Sequence, residues 1–118
     1  MKRILVIDDE QAILEVVKTI LEDMDYAVET HSDSTLGTEA ALARPFDLIL
    51  VDVRMPGMNG AEVTEKILAD RPDARVLLVT GYPGDPVARR ALDSGAIGLM
   101  RKPFEIAKIV DVIEQGST

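Results

Sequence analysis

Apolar residues follow two rhythms along this chain. Short β-branched runs, Ile4-Leu5-Val6-Ile7, Leu48-Ile49-Leu50-Val51 and Val76-Leu77-Leu78-Val79, are each bounded by polar or turn-forming residues, as in strands buried within a parallel sheet. Between them, apolar residues recur at three- and four-residue spacing, which gives a helix one buried face. The first strand is predicted over about residues 3–8, and the helix after it carries Ile13, Leu14, Val17, Ile20, Leu21 and Met24 at helical spacing. A short second strand near 27–31 precedes a helix over about 34–44, whose Gly37 weakens the pattern and which Pro45 stops. The third strand, 48–52, leads through a glycine-rich turn to a helix over about 61–70 that Pro72 ends. The fourth strand, 75–80, runs into Gly81-Tyr82-Pro83-Gly84-Asp85-Pro86, where Asp85 suits a helix N-cap and Pro86 the first helical position. That helix ends before Gly95. A fifth strand near 97–100 and a last helix over about 105–114, with Ile106, Ile109, Val110 and Ile113 inward, leave residues 115–118 as a loose tail. Five βα units predict a doubly wound α/β fold, in one domain over residues 1–118.

Composition narrows the chemistry. The chain has four aromatics and no Trp, so its core is aliphatic. Thirteen Lys and Arg against 21 Asp and Glu leave a net charge of −8, which repels nucleic-acid phosphates, and no basic cluster offsets it. Direct nucleic-acid binding is therefore not expected. With no cysteine and only His31, disulfides, thiolate zinc sites, thiol catalysis and histidine metal clusters are excluded. The first strand begins almost at Met1 with no charged-then-apolar leader, and no apolar run approaches a membrane span. A cytoplasmic location with no membrane contact is the expectation.

Function in an open parallel sheet gathers at the carboxyl ends of the strands. Those ends carry Asp8-Asp9, Asp52, Thr80 and, after the fifth strand, Lys102. Each has an ordinary explanation alone. One of Asp8 and Asp9 would N-cap the first helix, Asp52 would open a turn, Thr80 would be a β-branched strand residue and Lys102 a solvated lysine. Acid, acid, hydroxyl and ammonium at four core-strand ends are poorly explained that way together. Three carboxylates in one crevice call for a cation, which points to a hard divalent metal and phosphate chemistry.

The motifs Asp8-Asp9, Asp52-Val53-Arg54-Met55-Pro56-Gly57-Met58-Asn59-Gly60, Thr80-Gly81 and Gly95-Ala96 leading to Lys102-Pro103-Phe104 resemble the receiver domain of two-component response regulators. They run along nearly the whole chain in that family's order. The resemblance implies a flavodoxin-like (βα)5 fold with strand order 2-1-3-4-5. It implies Asp52 as phosphoacceptor, and Mg²⁺ (or Mn²⁺) bound directly by Asp9 and Asp52, by Asp8 through water, and by the Arg54 backbone carbonyl. Thr80 would hydrogen-bond a phosphoryl oxygen, Lys102 would pair with Asp52 or the phosphate, and the peptide before Pro103 would be cis. The implied partners are a sensor histidine kinase or phosphotransfer protein, and a downstream protein target or an effector domain outside this chain. Dimerisation through the fourth and fifth helices on phosphorylation is a further expectation. The domain would be a switch, not an enzyme, assisting only its own phosphorylation and dephosphorylation.

One position departs from the family. A Tyr or Phe usually stands three residues before the lysine; here it is Leu99, which cannot supply a rotating ring. Switching is then expected to rely on the 80–86 loop, with Tyr82 as its one large side chain. Arg54 and Tyr82 flank the expected phosphoryl position, either contacting it or facing solvent. Among rival readings, an aspartyl phosphohydrolase would place a second Asp two residues after the nucleophile, where Arg54 stands. A flavin module lacks its phosphate loop after Ile7 and its stacking aromatics. A receiver that binds partners without switching remains open because of Leu99.

Overall fold

The two rhythms resolve, in a computed structural model that describes residues 1–115, into strands and helices in strict alternation. These are β1 (Arg3–Ile7), α1 (Gln11–Asp23), β2 (Ala27–His31), α2 (Ser34–Ala43), β3 (Leu48–Asp52), α3 (Gly60–Asp70), β4 (Val76–Thr80), α4 (Pro86–Asp93), β5 (Gly98–Arg101) and α5 (Ile106–Gln115). All strand pairings are parallel, in the order β2-β1-β3-β4-β5. The doubly wound fold is the one the five βα units predict, and the strand order is the one the family resemblance implies.

Successive strand side chains alternate between the two faces, and the core is accordingly split. Leu5, Ile7, Ile49, Val51, Val76 and Leu78 pack under Ala40 and Ala41 of α2, Val63 and Ile67 of α3, and Ala88 and Ala91 of α4. Ile4, Val6, Leu48, Leu50, Leu77 and Val79 pack under Leu14, Val17 and Leu21 of α1 and Ile109 and Ile113 of α5. Every residue of β3 and β4 is buried, which explains why these strands read as unbroken apolar runs.

Several local expectations shift. Asp8 lies just beyond β1. Neither Asp8 nor Asp9 caps α1: Glu10 occupies the N-cap and makes no side-chain cap bond. Ile20 on α1 and Met24 at its C-cap are exposed, because the buried stripe of α1 is confined to Leu14, Val17 and Leu21. Gly37 does not weaken α2 but lets it approach β1, since a Cβ there would stand 2.7 Å from Ile7 side-chain atoms. Asp85 caps α4 with Pro86 in its first turn, as expected. Gln115 closes α5, and the rest of the expected tail, 116–118, lies outside the described residues. Among those residues no helix is long and apolar enough to cross a membrane.

Candidate functional site

The register brings four strand ends together. Asp52 is the last residue of β3, between β1 and β4, and the chain is held to its neighbours through the next residue, since Val53 N–H donates to Val79 O (3.0 Å). Asp8 follows β1, and its N–H donates to His31 O (3.2 Å). Lys102 N–H donates to Thr80 O (2.8 Å), which anchors the lysine beside the end of β4. The crevice lies at the C-terminal edge where β1 and β3 adjoin and their following helices pass to opposite faces, the place where such sheets bind ligands.

Asp8, Asp9 and Asp52 each present a carboxylate oxygen within 4.8 Å of the others. Lys102 Nζ lies 3.1 Å from Asp52 Oδ2, 3.1 Å from Asp8 Oδ2 and 3.4 Å from Glu10 Oε1. Asp8 and Asp52 are buried and Asp9 is exposed. Burial pushes the Asp52 carboxyl up to about 6, reinforced by the charges of Asp8 and Asp9 and opposed by Lys102. Burial works against the Lys102 ammonium as well, but attraction to Asp52 and Asp8 and the hydrogen bond to Asp52 outweigh it and raise its pKa.

The donor set fits a divalent cation. Three carboxylates against one ammonium leave two formal negative charges in a small volume. Asp8 Oδ2 is fully buried without an aligned hydrogen-bond donor, although the lysine charge is near it. Its other oxygen accepts from Glu10 N–H (2.9 Å), which fixes the carboxylate. An oxygen-only cluster of this kind suits Mg²⁺ or a similar hard ion.

The remaining residues singled out from sequence are distributed around this centre. Thr80 is buried, and its hydroxyl is engaged within its own loop. It accepts from Tyr82 N–H (3.0 Å) and donates to Tyr82 O (3.3 Å). Tyr82 itself is 76% exposed. Leu99 packs against the α2–α3–α4 side of the core. The Lys102–Pro103 peptide is cis.

Of the two alternatives for Arg54, phosphate contact or solvent, the side chain takes the exposed one at 62% exposure, yet it is not free there. Its Nε donates to Asp85 Oδ2 (2.6 Å) and its Nη2 to Asp85 Oδ1 (2.7 Å). The sequence reading recognised Asp85 only as a cap. It also missed Ser34, whose hydroxyl donates to Pro56 O (3.2 Å) and accepts from Met58 N–H (3.1 Å), pinning the loop after Asp52 to the start of α2. The small polar residue opening a helix is a visible signal for Ser34; its partner 22 residues away is not.

A twisted parallel sheet with an acidic cluster, a hydroxyl and a lysine at its strand ends defines a class, and comparison with known proteins agrees. The response regulator receiver domain model matches residues 4–114, and the chain belongs to that family. The response regulator GacA of Pseudomonas viridiflava is 36% identical over 117 residues, covering 96% of this chain and 54% of GacA. A CheY-like receiver domain protein of Methanospirillum hungatei JF-1 superposes with a TM-score of 0.91 at 33% identity, covering 99% of this chain and 97% of that one. A response regulator of Burkholderia pseudomallei, solved with a phosphorylated aspartic acid, a calcium ion and citrate, superposes with a TM-score of 0.86 at 29% identity, covering 99% and 69%. The chain spans about half the length of the first curated relatives it matches.

Proposed function

We propose that Asp52 is the phosphoacceptor of a two-component signalling domain, receiving a phosphoryl group from a phosphohistidine of a sensor histidine kinase or phosphotransfer protein, or from a small acyl phosphate. The observation that carries this reading is the Asp52 carboxylate held 3.1 Å from Lys102 Nζ, beside Asp8 and Asp9. A carboxylate oxygen of Asp52 attacks phosphorus, the phosphorus–nitrogen bond breaks, and its electron pair leaves on the imidazole. The Asp52 group passes from one negative charge to two as an acyl phosphate.

Asp9 and Asp52 are the direct metal ligands in this reading, with Asp8 acting through water and the Arg54 carbonyl completing the protein's share. Bound Mg²⁺ or Mn²⁺ supplies charge neutralisation at the transferring oxygens. Lys102 keeps its proton beside the new phosphate and follows it as a flexible point charge. The Thr80 hydroxyl leaves its turn with Tyr82 to donate to a phosphoryl oxygen, drawing the 80–86 loop inward. Output goes to a downstream protein target or effector domain, with dimerisation through α4 and α5 as one form of it, in a single cytoplasmic domain over residues 1–118. Pro103 fixes the chain after the lysine. Leu99 favours a second reading, a receiver that binds partners without switching.

Intact mass after incubation with acetyl phosphate tests the assignment. One phosphoryl group should be added with Mg²⁺, none with EDTA, and none on Asp52→Asn. A parent-like gain on Asp52→Asn refutes it.

A further inference from the structure

The Arg54–Asp85 pair joins the loop after Asp52 to the N-cap of α4 and is asymmetric. The Asp85 side chain is 4% exposed and that of Arg54 is 62% exposed. Asp85 is fixed by a second task, because its Oδ1 also accepts from Val87 N–H (2.8 Å) as the cap of α4. Arg54 has no such tether and lies on the open side, along a cleft lined by Tyr82, Pro83, Gly84 and Asp85. It stands two residues after Asp52 on the same loop. We infer that Asp85 is a positioning residue that withholds Arg54 from the phosphoryl position, and that a phosphoryl group on Asp52 takes Arg54 over and releases the start of α4. This rests on Asp52 being the phosphoacceptor.

The exchange follows from the chemistry of the two anions. A guanidinium fork fits a carboxylate and a phosphoryl group in the same bidentate way. Phosphorylation sets a dianion against the Asp85 monoanion in competition for Arg54. Asp85 is not left bare when Arg54 departs, since the Val87 N–H and the positive end of α4 remain. The loop carrying Asp85 starts at Thr80, so inward movement of Thr80 strains the ion pair from its other end. Asp85 thereby couples the charge on Asp52 to α4 without an aromatic at position 99.

The test is a beryllofluoride titration with Mg²⁺, read from amide chemical shifts of residues 80–87. Asp85→Asn keeps an N-cap acceptor for Val87 N–H and removes the competing charge. It should bind beryllofluoride at least ~5-fold more tightly than the parent, a modest coupling between sites. In an Arg54→Ala background the same substitution should bring no gain, because no arginine is left to release. A purely structural effect on the cap would appear equally in both backgrounds. Asp85→Ser, a second neutral cap, should reproduce the gain, and thermal melts of all variants report folding. No tightening in either neutral-cap variant, or an equal gain without Arg54, overturns the inference. A parent that shows no shifts with beryllofluoride and Mg²⁺ instead overturns the reading of Asp52 itself.

Discussion

Burial acts on Asp52 and Lys102 in the same sense, against charge, and the structure answers it by setting them together. Away from the crevice, Glu29 on β2 shows the opposite balance. Arg44 Nε donates to Glu29 Oε1 (2.8 Å), Arg44 Nη2 reaches Glu29 Oε2, and His31 Nε2 lies 2.7 Å from that oxygen. The Arg44 hydrogen bond, with help from His31 and against burial, lowers the Glu29 carboxyl from 4.5 to about 2. A carboxyl depressed in the folded state stabilises the fold above its unfolded value, and the contribution fades as pH falls through the folded one. Between pH 4.5 and about 2 the parent's melting temperature should therefore fall more steeply than that of Glu29→Gln. Identical acid limbs would show that the pair adds nothing. Single-residue chemistry was the part most open to sequence: Asp8, Asp9, Asp52, Thr80 and Lys102 were all marked by their places at strand ends. Glu29 was not, and Asp85 was marked only as a cap, because their arginine partners lie 15 and 31 residues away.

At the scale of elements, the start of α3 shapes the site most directly. Asn59 and Glu62 form a reciprocal cap, Glu62 N–H donating to Asn59 Oδ1 (3.0 Å) and Asn59 N–H to Glu62 Oε1 (3.1 Å). The capped turn lies directly on the end of β3. A Cβ at Gly60 would stand 2.8 Å from Asp52 O and 2.8 Å from Val53 Cα. Both obstacles are backbone and cannot rotate aside. Gly60→Ala should destabilise by roughly 1–3 kcal/mol, the usual range for forced overpacking, and should slow phosphorylation by moving Asp52. Urea unfolding and the rate of mass gain with acetyl phosphate check the two effects; a stable, fully reactive variant would contradict the close approach. Element type and order were legible because most apolar runs had one clear period, α2 with its Gly37 being the weakest of them. The exposed Ile20 of α1 and Met24 at its C-cap were misjudged because helical spacing marks a stripe wider than the strip the sheet covers.

For the whole molecule, a net charge of −8 concentrates its sharpest conflict at Asp8, Asp9 and Asp52. A cation that binds the folded chain and not the unfolded one stabilises it in proportion to the logarithm of its concentration. Circular dichroism melts should show the parent's melting temperature rising with Mg²⁺ and reversing with EDTA. Asp9 is exposed, so Asp9→Asn removes charge with little packing loss. It should melt at or above the parent temperature in EDTA and lose most of the Mg²⁺ response. An undiminished response would move the cation site away from Asp9.

The sequence by itself determined the alternation of five strands and five helices, the aliphatic core and the residues at the strand ends. Those features are encoded locally, in period, turn chemistry and composition. Only the tertiary structure decided how far apart the strand ends stand and whom each side chain meets. The parallel register sets Lys102 between Asp8 and Asp52, and the packing of α4 beside the β3–α3 loop gives Arg54 to Asp85. Contacts between distant segments depend on where whole elements come to rest, and no local pattern records that.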